Sequence, residues 1–187
     1  TGKLIHVDLE PEPGCYLDRS QDVIDFFQKY LLRASDELSV REYIRICHDV
    51  CHAAVMFEDQ VQVLRRYRDA GVEVGKVRVT TAVQVSFDRM LGDGRDADGA
   101  LLAVEDAPGQ AAGRWRVHFH VPIYLERMGL LETTRPQVLE CLAATKDDPD
   151  IEHFEVETYA WGVLPPELRC DDLAEGIAAE MKWLQDQ

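Results

Sequence analysis

Charge sits on one face of nearly every strand that this sequence predicts, and helical periodicity falls between the strands. Leu4–Glu10 alternates strictly, with Ile5, Val7 and Leu9 on one side and His6, Asp8 and Glu10 on the other, until Pro11-Glu12-Pro13-Gly14 stops it. Tyr43–Ile46 is an apolar run that leads into Cys47, His48 and Asp49. Gly75–Val85 reads as a third strand, with Val77, Val79 and Thr81 opposite Lys76, Arg78 and Thr80. Arg114–Pro122 puts Arg116, His118 and His120 on one face, and His153–Tyr159 does the same for Glu155 and Glu157. Helical stripes are predicted over Asp22–Leu32 with Ser20 as N-cap, Asp59–Ala70 closed by Gly71, Arg135–Ala144 and Leu173–Leu184.

Strands and helices in series argue for an α/β fold, a parallel sheet with outer helices. A doubly wound open sheet buries both faces of its strands and would read as unbroken apolar runs, which these are not. The polar faces are what the interior of a TIM-type barrel would carry if that interior doubled as a pocket, since a TIM (β/α)8 barrel collects its chemistry at the carboxyl ends of its strands. Eight units in about 250 residues make such a barrel. The five units here therefore predict one domain, residues 1–187, that is the carboxyl-terminal part of a TIM barrel with its amino-terminal units absent. The start on Thr1-Gly2-Lys3, almost directly in a strand, reads the same way. The two sheet edges left open would need the absent half or a second copy against them. Alternation further predicts that His118, His120, Glu155 and Glu157 point to the barrel axis, and that Val117, Phe119, Phe154 and Val156 pack under helices.

The stretch Ile46–Asp59 is where chemistry concentrates. An apolar strand delivers Cys47, His48, Asp49, Cys51 and His52 at its carboxyl end and turns into a helix. Asp49 and His52, three apart across that corner, are a carboxylate and an imidazole able to converge on one cation. Two other readings stand beside it: a structural zinc held by Cys47, His48, Cys51 and His52, which lacks the usual second knuckle, and a buried strand end whose polar groups are merely satisfied. The formal charge of −15 argues against a nucleic-acid partner. No apolar run approaches a membrane span, so no membrane insertion is expected. Five cysteines without framework spacing suggest reduced thiols in a cytoplasm. In the Gly/Asp/Ala-rich stretch 92–113, Asp96, Asp98, Gly99 and Glu105 match four calcium-loop spacings, but Gly94 stands at the first ligand position, so an acidic loop is expected there.

Asp49-Val50-Cys51-His52 resembles the Asp-x-Cys-His corner of the xylose-isomerase-like TIM barrels, the superfamily of sugar phosphate isomerases and epimerases that also includes endonuclease IV. More narrowly, Leu9–Pro13, Cys47–His52, His118–Pro122 and Glu155–Trp161 with Val163-Leu164-Pro165 resemble, in order, the metabolite traffic proteins of Ebo-type operons. The resemblance implies a divalent metal, Mn²⁺, Mg²⁺ or Zn²⁺, on Glu10, Asp49, His52, His120 and Glu157. It implies Glu10 or Glu157 as the proton-moving carboxylate, and Lys76, Arg78, His118 and Glu155 around a small-molecule metabolite, sugar-like or polyol. The activity implied is metal-dependent isomerisation or epimerisation; the alternative is a barrel that binds and hands on a metabolite without turnover. Two departures are visible. Lys76–Thr80 has no His where many epimerases place a ligand, which leaves His120 as the substitute, and 87–99 lacks a Tyr-Leu-His-Gln-like stretch. Cleavage of phosphodiesters would need more imidazoles and a basic track.

Overall fold

The computed structural model describes residues 2, 4–34, 36–86, 113–170 and 172–187; the calcium-loop spacings and the stretch 87–99 lie outside the described residues. The strands are β1 (Val7–Leu9), β2 (Ile44–Asp49), β3 (Val74–Val79), β4 (Thr81–Ser86), β5 (Arg114–Val121), β6 (Arg127–Met128), β7 (Leu131–Thr133) and β8 (Phe154–Val156). The helices are α1 (Ser20–Phe26), α2 (Leu32–Ala34), α3 (Glu37–Tyr43), α4 (Val50–Val55), α5 (Gln60–Asp69), α6 (Arg135–Thr145) and α7 (Leu173–Gln185). No helix among the described residues is long and apolar enough to cross a membrane.

Local chemistry accounts for the helix ends. Asp59 caps α5 by accepting the Gln62 N–H at 2.8 Å, and Gly71 leaves that helix at φ 65°, a left-handed value that glycine reaches without penalty. Asp172 caps α7 through the Ala174 N–H at 2.8 Å, and Pro136 opens α6, where a missing N–H costs nothing. Ser20 is not the cap of α1. Arg19 holds that place with the Asp22 carboxylate on its N–H at 2.9 Å, while the Ser20 hydroxyl donates to Glu58 at 2.6 Å. A π-helical turn, Phe27–Leu31, follows α1, and its extra residue turns Tyr30 out to solvent although Val23 and Phe27 are buried.

The molecule is α/β, with a parallel four-stranded sheet in the order β1-β2-β3-β8 and an antiparallel one in the order β5-β4-β7-β6. Two expectations are corrected here. The strand read over Gly75–Val85 is two strands in one extended run: β3 pairs parallel with β2 and β8, then the chain passes Thr80 and β4 pairs antiparallel with β5 and β7. Arg114–Val121 is therefore not a member of the parallel series, and the described residues form an open parallel sheet plus an antiparallel one, with no closed barrel. The period-2 pattern of β5 is the same whichever way its neighbour runs, so alternation could not tell the two arrangements apart.

Apolar residues on one face of the parallel sheet, Ile46, Val77, Val79, Phe154 and Val156, pack against Val63, Leu64 and Tyr67 of α5 and Val138 and Cys141 of α6. The opposite face carries Cys47, Asp49, Lys76, Arg78 and Glu155, as the alternation predicts. Phe119 packs instead in a second cluster with Val83, Val121, Trp161 and Leu164, beside a 3-10 turn (Ala160–Val163). Val117, expected under a helix, is 55% exposed, and its strand belongs to the antiparallel sheet.

Candidate metal centre

Asp49 is the last residue of β2 and the N-cap of α4. Its Oδ1 accepts the His52 N–H at 2.9 Å and the Thr80 hydroxyl at 2.7 Å, and the same hydroxyl oxygen accepts the Cys51 N–H at 3.0 Å. Thr80 thus fixes the strand-to-helix corner to the end of β3. Asp49 Oδ2 is buried and bonds to nothing. His52 Nδ1 lies 2.8 Å from the Pro11 carbonyl oxygen, which can only accept, so this nitrogen carries the proton and Nε2 presents a lone pair. That lone pair faces Asp49 Oδ2 across 3.9 Å.

The third donor comes from the antiparallel sheet. Arg116 anchors β5 over α4: its Nη1 donates to the Ala54 carbonyl at 2.5 Å, its Nε to Gln84 at 2.9 Å, and its guanidinium covers the Phe57 ring at 4.6 Å. Two and four residues on, His118 and His120 reach the corner. His120 is 2% exposed, its Nε2 stands 4.0 Å from Asp49 Oδ2, and neither ring nitrogen has a hydrogen-bond partner. Burial, then the neighbouring His52 and His118, push its pKa down to about 3, so the ring is neutral and one of its nitrogens offers a lone pair. Burial and His52 lower His118 as well, and burial raises Asp49. Tyr159 stacks on His120 with ring centroids 4.9 Å apart, and the His52 and His118 rings meet edge to face at 4.5 Å.

Asp49, His52 and His120 each offer one donor atom within 4.8 Å of the others. Two ligands bonded at about 2.1 Å in a tetrahedron stand roughly 3.4 Å apart, so the 3.9 and 4.0 Å gaps need only a small closure around an ion. A buried carboxylate oxygen and a buried imidazole without hydrogen-bond partners cost free energy that a cation would offset. Cys51 with His118 and His120, and Glu12 with His52 and His118, lie equally close. This buried Asp/His/Cys cluster could hold a metal ion.

The expected carboxylates take a different position. Arg78 gathers them: its Nη1 donates to Glu10 at 2.9 Å and Glu157 at 3.0 Å, and its Nε to Glu155 at 2.8 Å. Lys76 adds a bond to Glu155 at 2.7 Å. Burial opposes the charge on Arg78, but Glu155, Glu10 and Glu157 outweigh it and raise its pKa. For Glu155 burial raises and the Lys76 and Arg78 hydrogen bonds lower, and the net direction is down. Glu10 stands 3.7 Å from His52 Nδ1 and Glu157 3.6 Å from His120 Nδ1, one step outside the triad. Of the residues expected at the metal, the structure brings Asp49, His52 and His120 together and leaves Glu10 and Glu157 beside them on Arg78. Of those expected at a substrate, Lys76, Arg78 and Glu155 form one ion-pair network and His118 joins the imidazoles.

The four-ligand zinc reading fails on geometry. His48 points to the opposite face of β2, where its Nε2 meets Gln60 Oε1 at 2.8 Å while Gln60 donates to the Val50 carbonyl at 3.2 Å. Sequence reasoning missed Thr80, Tyr159 and Glu12 as parts of the site and placed Cys51 only in the four-ligand zinc and the Asp-x-Cys-His corner. Thr80 was legible as the next residue on the face of Lys76 and Arg78; Tyr159 and Glu12 carry no local signal. No protein-family model matches the chain, nor does any curated protein or solved structure, so what this pocket does rests on its own donors and distances.

Proposed function

We propose that Asp49, His52 and His120 hold one divalent cation in a metal-dependent isomerase- or epimerase-like protein acting on a sugar-like or polyol metabolite. The observation that carries this is the buried Asp49 Oδ2 and His120 ring, neither with a hydrogen-bond partner, gathered with His52 in one cluster. Two imidazoles and one carboxylate suit Mn²⁺ or Zn²⁺ better than Mg²⁺. Such an ion, when bound, polarises a carbonyl and the neighbouring hydroxyl and acidifies the carbon-bound proton between them. Glu10 and Glu157, beside His52 and His120, are the carboxylates placed to take and return that proton. Arg78 and Lys76 would steady an anionic substituent as well as the carboxylates they now hold. Four parallel strands in sequential order support the barrel reading: the incomplete TIM barrel of the xylose-isomerase-like superfamily, resembling the Ebo-type metabolite traffic proteins.

A second reading has an observation in its favour. Both candidate proton-moving carboxylates are engaged by the Arg78 guanidinium, an arrangement that suits binding and release of a metabolite without turnover. The test is metal content of purified protein, followed by a screen of sugar phosphates for exchange of a carbon-bound proton with solvent. About one Mn²⁺ per chain is expected after loading, lost in Asp49→Ala with the fold intact. Unchanged manganese content in that folded variant would overturn the site. Metal-dependent ligand binding with no exchange would select the second reading.

A further inference from the structure

We infer that Cys51, His118 and His120 form a second, sulfur-containing metal position beside that of Asp49, one that takes a borderline-soft ion such as Zn²⁺. It rests on the reading above only in sharing His120. One donor atom from each of the three residues lies within 4.8 Å of the others. Cys51 is fully buried in the first turn of α4, and its N–H is tied to the Thr80 hydroxyl at 3.0 Å, so the threonine that places the Asp49 carboxylate also places this sulfur. His118 and His120 stand two apart on β5, so a single segment of that strand supplies both imidazoles. His120 is buried and neither of its ring nitrogens has a hydrogen-bond partner. Thiolate and imidazole together are a donor set for zinc rather than for magnesium or calcium, which take oxygen ligands. Burial keeps Cys51 a protonated thiol in the metal-free protein. Binding exchanges the S–H bond for an S–metal bond and releases that proton to solvent, with no change of oxidation state.

Cobalt(II), added to the full chain as a zinc substitute, reads the sulfur directly. The background variant Cys15→Ser removes the exposed thiol. The expected spectrum has the visible bands of a low-symmetry cobalt site and a near-ultraviolet thiolate-to-cobalt charge-transfer band. Cys51→Ser should abolish the charge-transfer band and keep visible absorption from cobalt at Asp49, whereas Asp49→Asn should keep the charge-transfer band. Circular dichroism confirms folding, and Cys51→Ala serves if the serine variant does not fold. Cobalt binding without a charge-transfer band, or a band that survives loss of Cys51, overturns this inference and leaves the Asp49 site standing. No cobalt bound at all overturns both.

Discussion

Burial pushes the Asp49 carboxyl above the ordinary carboxylate range, against the lowering effect of its bonds to His52 and Thr80, and its Oδ2 has no hydrogen-bond donor. A carboxyl whose folded pKa is raised contributes stability below its unfolded value of 3.8, and that contribution is lost as pH rises through the folded pKa. Asp49→Asn keeps the oxygen that accepts from His52 and Thr80 and removes the charge. Metal-free Asp49→Asn should therefore melt a few degrees above metal-free wild type at neutral pH, the gap closing toward acid. With Mn²⁺, which a thiolate position does not favour, the order reverses: wild type gains about 2.7 kcal/mol at a metal concentration of 100 Kd, and the variant gains little. Melting curves with chelator and with Mn²⁺ check both halves. His48 works in the opposite sense. Burial lowers its pKa from 6.5 to about 4 even though Gln60 raises it, so the unfolded chain takes up a proton that the native state refuses. Stability present above about pH 6.5 is lost as pH falls toward 4, by up to roughly 3 kcal/mol at 1.36 kcal/mol per unit. His48→Asn should flatten that acid limb relative to its own neutral value in urea titrations of metal-free protein.

Two strands owe their position to single residues. A Cβ on Gly75 of β3 would run into the Asp8 carboxylate and the His6 ring, which pair with each other at 2.7 Å. Both belong to the segment around β1, so the glycine sets how closely it and β3 approach on the polar face. Gly75→Ala should cost about 1–3 kcal/mol of unfolding free energy by overpacking, measured by urea denaturation. Arg116 does the corresponding work for β5, clamping it to α4 through the Ala54 carbonyl and the Phe57 ring. Arg116→Ala should leave the core of α5 and the parallel sheet intact while freeing His118 and His120. Zinc affinity by calorimetric titration should fall about 10- to 100-fold, as it does when the supports of metal ligands are removed.

At the scale of the whole molecule, among the described residues the parallel sheet ends on β1 and β8, each paired on one side only. Val7 on β1 is 63% exposed and Ile5 just before it 81%. Unpaired strands flanked by exposed apolar side chains recruit other strands. Sedimentation of this chain at micromolar concentration should show mass rising with concentration, and Val7→Lys should suppress the rise; a stable monomer across that range would contradict it. How much of this the sequence already held follows from what is local. The two faces of β3 and β8, the Gly71 end of α5 and the Asp49-to-His52 corner were legible, because side-chain alternation, capping and a three-residue spacing are properties of one short segment. The split of the run 74–86 into two sheets, the antiparallel direction of β5 and the exposure of Val117 were not. Nor was the capture of Glu10, Glu155 and Glu157 by Arg78, which spans 68, 77 and 79 residues of chain. A strand's alternation states which side chains share a face. Which backbone lies beside it, and in which direction, is decided only when distant segments compete for the same hydrogen bonds, and that competition brought His120 to Asp49.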